Sequence, residues 1–193
     1  MPPARQMLCT RASSGARLSP ATRLARRHAT RCSKPTPASG EGVSVPRNVL
    51  GGELLCCCSD VRNTGIGTGF YRDGFCSTGA DDEGRHTVCV EATAEFLQFS
   101  AAAGNPLHVP MPEYLFPGVA PGDRWCLCAA RWAQALRAGK APKLFLRSCH
   151  EKTLEYATLE QLKAHALDLD EAEADVQRVQ DLREALQRSV DIE

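Results

Sequence analysis

Hydrophobic and polar positions along this chain follow two different periods, separated by stretches that follow neither. Residues 86–91 place Thr87, Val88 and Val90 together, a β-favouring run that predicts a strand. Residues 123–128 set Trp125 and Leu127 against Cys126 and Cys128 after a Pro121-Gly122 turn, which predicts a second extended segment. Phe70-Tyr71-Arg72, closed by Asp73-Gly74, and residues 143–147 behind Pro142 are two further strand candidates.

Helical spacing takes over elsewhere. Phe96, Leu97 and Phe99 mark a helix over 94–103, with Thr93 as N-cap and Gly104-Asn105 as its end. A second helix spans 129–138 and stops at Gly139, and a short third one spans 159–166 behind Thr158. Over residues 170–190, Ala172, Val176, Val179, Leu182, Leu186 and Val190 recur every three or four positions. That is an amphipathic helix, acidic at its start as the helix dipole favours. Either it docks on its own domain or it pairs with a second chain or partner, and docking is the simpler reading.

The non-periodic stretches are loops for identifiable reasons. Residues 59–69 hold Asn63, Gly65, Gly67 and Gly69. Residues 105–122 hold Pro106, Pro110, Pro112, Pro117 and Pro121, which exclude a helix and predict a long ordered connection. The whole predicts a single small α+β domain: a few short strands, two or three packed helices, a proline-rich ordered loop and a C-terminal amphipathic helix. Its parts are a leader and linker over 1–44, the domain over 45–167, and the acidic helix over 168–193.

Charge divides the chain at the same place. The first 40 residues hold eight of the 23 basic residues and none of the 23 acidic ones, so residues 41–193 carry a formal charge of −8. A basic, acid-free, Ser/Ala/Arg-rich start without a 7–15-residue apolar run has the composition of an organelle transit peptide rather than a secretory signal. Its serines and the Pro35–Gly40 linker favour the chloroplast stroma over the mitochondrial matrix. The composition change sets the mature N-terminus between residues 30 and 45; an intact Met1 on organelle-purified protein would overturn this. No segment approaches the ~20 apolar residues that span a bilayer, which predicts a soluble protein. A domain at −8 is a poor nucleic-acid ligand. Any partner is expected at residues 170–190, through self-association or a second protein.

The motifs N-V-L-G at 48–51, T-G-F-Y-R-D-G at 68–74, C-S-T-G at 76–79, H-T-V-C at 86–89, P-G-D-R-W-C-L-C-A-A-R-W at 121–132 and H-E-K-T-L-E at 150–155 resemble an uncharacterised family. That family is catalogued as domain of unknown function twenty-two thirty-seven, and the resemblance runs from Asn48 to about His165. It implies a shared fold and no reaction. Residues 61–67 look like extra loop relative to its pattern, and the Cys56-Cys57-Cys58 triplet is richer in sulfur.

Candidate chemistry rests on sulfur. The leading expectation is a small binding or regulatory protein with a thiol- or metal-based Cys/His site; the alternatives are a cysteine-dependent enzyme or a scaffold acting through the C-terminal helix. Eight of the ten cysteines lie beyond the leader: Cys56, Cys57, Cys58, Cys76, Cys89, Cys126, Cys128 and Cys149. In an extended segment Cys126 and Cys128 share a face, so with Cys89 and His86 they form a ligand set for zinc, though C-x-C is a weaker pattern than paired C-x-x-C. Alternatively Cys128, at a strand-to-helix junction, is a nucleophile activated by the helix N-terminus. Cys126 is then its resolving partner, His86 or His150 its base, and Asp123 an orienting group. Buried cysteines that only pack are the third reading. Arg72, Asp73, Arg124 and Trp125 are candidates for holding an anionic or planar ligand. The Gly65-x-Gly67-x-Gly69 run lacks the Lys-Ser/Thr of a phosphate loop.

Overall fold

The computed structural model describes Cys32 and residues 45–190; apart from Cys32, the leader expectation falls on residues outside these. The fold is α+β. Strands β1 (Val88–Glu91) and β2 (Arg124–Leu127) form an antiparallel ribbon. Its register pairs Val88 with Leu127, Cys89 with Cys126, Val90 with Trp125 and Glu91 with Arg124. Because side chains alternate across a strand, Cys89 and Cys126 share one face and Val88, Val90, Trp125 and Leu127 the other.

Helix α1 (Ala94–Ala102) starts where the sequence predicts, with the Thr93 hydroxyl accepting from the Phe96 N–H. Helix α2 (Ala129–Arg137) follows β2 directly, with Cys128 at its N-cap position. It carries Trp132, fully buried, whose indole N–H donates to the Pro142 carbonyl. Helix α3 (Leu159–Lys163) begins with a complete capping box between Thr158 and Gln161. The core gathers Val88, Val90, Phe96, Trp132, Leu144, Leu146 and Leu162 around the ribbon.

Two expected strands are absent. Phe70-Tyr71-Arg72 is turn, because Gly69 and Arg72 both take positive φ (90° and 59°) and a side chain at 69 would collide with the Phe75 carbonyl. In 143–147 only Leu144 makes strand-like bridges, to Val90 and Ala166. The chain then turns into a 3₁₀ segment, Leu146–Ser148, and the Leu146 and Arg147 N–H groups donate to the Asp168 carboxylate instead of to a neighbouring strand.

Helix α4 (Leu169–Val190) divides into two halves. Near its start, Ala172 is buried and Asp175 pairs with Arg147. Further on, Val179, Leu182, Leu186 and Val190 are exposed, so docking accounts for the first half alone. None of the helices among the described residues is long and apolar enough to cross a membrane.

Candidate functional site

The two faces of the ribbon lead to two chemically distinct places. Behind Cys89 and Cys126 lies a buried cluster of sulfur. Cys57 is bonded to Cys89 and Cys76 to Cys126, with Cα separations of 5.7 and 5.3 Å, and none of the four is more than 4% exposed. The sulfurs of Cys57, Cys76 and Cys89 all lie within 4.8 Å of one another, close enough to hold a metal ion together. Cys32, from the segment read as leader, is bonded to Cys56.

Backbone contacts also help to position the residues that carry these sulfurs. Cys57 and Cys58 both donate to the Gly74 carbonyl, and Thr68 donates to the Cys58 carbonyl. The fully buried Thr68 hydroxyl accepts from the Cys126 N–H at 2.7 Å, joining the glycine-rich loop to β2. Cys149 sits beside the cluster as a buried thiol, its sulfur accepting from the Cys89 N–H at 3.3 Å. Burial pushes its pKa up to about 12, so it is held as an inert thiol.

On the opposite face, Trp125 and Leu127 form the floor of an open cleft of about 490 Å³. Leu107, Met111 and Phe116 from the proline-rich loop wall it, and Cys128, Arg131 and His86 bring polar chemistry. Cys128 reaches the cleft because the chain leaves strand geometry after Leu127. Its thiol is free and half-buried, and it makes no capping hydrogen bond to the helix it precedes. The Ala129 N–H donates to the Arg85 carbonyl, which fastens the start of α2 to the segment carrying His86. Ala130 and Arg131 are then left as first-turn N–H groups, which have no partner within a helix.

His86 is held by a network that begins in the interior. Its Nδ1 lies 2.6 Å from Oδ1 of Asp82, a carboxylate only 1% exposed. The other carboxylate oxygen accepts from the His86 N–H at 2.8 Å and the Thr78 hydroxyl at 2.9 Å. Burial alone pushes the Asp82 carboxyl upward. The hydrogen bonds and charge of His86, with the Thr78 hydroxyl, outweigh it and hold the pKa below the ordinary carboxylate value. With Nδ1 facing Asp82, Nε2 is the ring nitrogen left to face the cleft chemistry. Phe70 stacks on the imidazole, and a side chain at Gly84 would strike it.

Of the residues singled out from sequence, Cys128, His86, Arg72 and Trp125 line this cleft. Arg72 is not a free anion receptor there. Its guanidinium donates to the carbonyls of Gly69, Tyr114 and Leu115 and lies over Trp125, so it clamps the proline-rich loop in place. The remaining residues are elsewhere. Cys126 is bonded to Cys76 on the other face, which removes it as a resolving partner for Cys128. For the same reason Cys89, Cys126, Cys128 and His86 do not come together as one metal set. The nearby sulfurs are those of Cys57 and Cys76.

His150 is buried and caps the 3₁₀ segment Glu151–Glu155, its Nδ1 accepting from the Lys152 N–H. Burial is the main cause that lowers its pKa. Asp123 accepts from the Ala120 N–H and pairs with Arg62. Asp73 accepts from the Phe75 N–H in a local turn, and Arg124 lies 3.7 Å over the Phe145 ring. Sequence reasoning missed Asp82, Cys57 and Cys76. The spacing of four between Asp82 and His86 was a visible signal, whereas the pairing of Cys57 with Cys89 and of Cys76 with Cys126 was not.

Comparison with curated proteins finds no match. Residues 47–166, more than half of the chain, match the family described as an uncharacterized protein conserved in bacteria, and with that extent of match the chain belongs to this family, DUF2237.

Proposed function

We propose that the cleft is a thiol-dependent catalytic site for acyl-group transfer on a small, largely apolar substrate. The observation that carries this reading is the convergence of a free thiol, Cys128, and a carboxylate-supported imidazole, His86, on one aromatic-walled cleft. Each part has a role in such a reaction. His86 Nε2 takes the Cys128 proton as the sulfur attacks a carbonyl carbon, and a thioester forms as the leaving group departs with that proton. Asp82 stabilises the imidazolium that appears in between. The Ala130 and Arg131 N–H groups are the donors suited to the developing oxyanion. Attack by water or an acceptor then releases the acyl group and restores the thiol.

Alkylation of the native protein by iodoacetamide at neutral pH, followed by peptide mass spectrometry, tests the assignment. Cys128 is expected to react first among Cys58, Cys128 and Cys149, and His86→Ala to slow it by about tenfold or more. A Cys128 that reacts no faster than Cys58 and ignores the loss of His86 would overturn the proposal.

A further inference from the structure

The buried sulfur cluster poses a separate question, because sulfurs of two different disulfides share one small volume. We propose that Cys57, Cys76, Cys89 and Cys126 form a redox-gated zinc site: two disulfides when oxidised, a tetrathiolate ligand set when reduced. Three observations carry this. The sulfurs of Cys57, Cys76 and Cys89 lie within 4.8 Å of one another, and thiolates around one zinc at about 2.3 Å from the ion stand about 3.8 Å apart. Reduction thus asks for shifts of about an ångström, not a rearrangement. Cys126, the fourth sulfur, lies outside that 4.8 Å group but is bonded to Cys76 and is the cross-strand neighbour of Cys89, so opening its bond frees it to rotate towards the other three.

The second observation is that contacts other than the S–S bonds also hold these positions. The ribbon register fixes Cys89 and Cys126, the Gly74 carbonyl fixes Cys57, and the Thr68 hydroxyl ties the intervening loop to Cys126. The third is donor chemistry. The set is all sulfur and buried, which selects zinc or another thiophilic ion over magnesium or calcium. The Ser77 hydroxyl, next in sequence to Cys76, is buried without a hydrogen-bond partner among the described residues, leaving a donor uncommitted beside one ligand in the chain.

The chemistry balances with one reductant. Two dithiol molecules each give two electrons and two protons and become disulfides, while the two protein disulfides become four thiols. Zinc then displaces the thiol protons to the solvent. Neither Cys128 nor His86 takes part, so this site and the cleft stand or fall separately.

The test uses the full chain, oxidised or fully reduced by a phosphine, with zinc alone as the ligand and cobalt(II) as its coloured stand-in. The reduced chain is expected to bind one equivalent of zinc, at least about a hundredfold more tightly than the oxidised chain. The cobalt form should show the intense absorption of tetrahedral thiolate coordination. Cys76→Ser should lose most of this affinity, and Cys128→Ser none. Near-ultraviolet circular dichroism of the reduced wild type, with and without zinc, gives a readout that needs no variant. A native-like signal that zinc strengthens supports the site. Overturning results are a reduced chain that takes up no zinc, one that stays unfolded with zinc present, or binding that disappears with Cys128→Ser.

Discussion

The two faces of the β1–β2 ribbon are separated by the thickness of one backbone, yet they treat cysteine in opposite ways. On one face Cys89 and Cys126 are buried, paired across the ribbon and bonded to Cys57 and Cys76. On the other, Cys128 stands half-buried and unbonded at the edge of a cleft. Two residues along the chain separate these fates. What changes between Cys126 and Cys128 is backbone geometry: β2 ends at Leu127, and the start of α2 turns Cys128 towards the side that Trp125 and Leu127 already face. A two-residue spacing keeps side chains on one face only while the strand lasts. The same C-x-C pattern is therefore one structural sulfur and one chemical sulfur.

The largest effect expected from breaking this comparison is on stability. The Cys76–Cys126 bond closes a loop across a sequence separation of 50, and removing it from the oxidised protein is expected to cost about 4 kcal/mol by loop entropy. Urea unfolding of Cys76→Ala/Cys126→Ala against wild type measures it. The loops closed by 57–89 and 76–126 overlap, so each bond closes a shorter effective loop while the other is intact, and removing both should cost at least as much as the two separate losses together. Cys128→Ser, on the other face, should change stability by no more than about 0.5 kcal/mol. A Cys76/Cys126 variant as stable as wild type would show that backbone contacts alone hold the cluster face.

How far the sequence revealed this arrangement follows from the range of the forces involved. The helices, their caps at Thr93 and Thr158, and the two paired strands were legible because periodicity and capping are local. Residues 70–72 were misread because their strand-like composition yields to positive φ at Gly69 and Arg72, imposed by packing against Phe75. The cleft was partly legible: Cys128, His86 and Trp125 stood out by type and position. Their relation was not, because it depends on which way the chain turns after Leu127 and on Asp82, four residues before His86, being drawn into the interior. Arg72 looked like a ligand receptor from its composition, and only its partners at Gly69, Tyr114 and Leu115 reveal a clamp. The cysteine pairings span separations of 32 and 50 residues, and no local pattern encodes them.

A smaller and more selective effect sharpens the comparison from the cleft side. Asp82 has a folded pKa below its unfolded value, so its ionised form stabilises the fold. The sign follows directly. That contribution is complete above the ordinary carboxylate pKa, and it is lost as pH falls through the lower folded value, where the native carboxylate also takes up a proton. Asp82→Asn keeps the shape but accepts fewer of the bonds from His86 and Thr78, and is expected to lose about 1–2 kcal/mol at neutral pH. The gap to wild type should then narrow as the pH is lowered below the carboxylate range, which unfolding curves measured from neutral to acid pH will show. The double Cys76/Cys126 variant should show no such narrowing, because disulfide cysteines do not titrate. A gap for Asp82→Asn that stays constant into acid would mean that the ionised carboxylate does not support His86, and the imidazole in the cleft would lose the group that orients it.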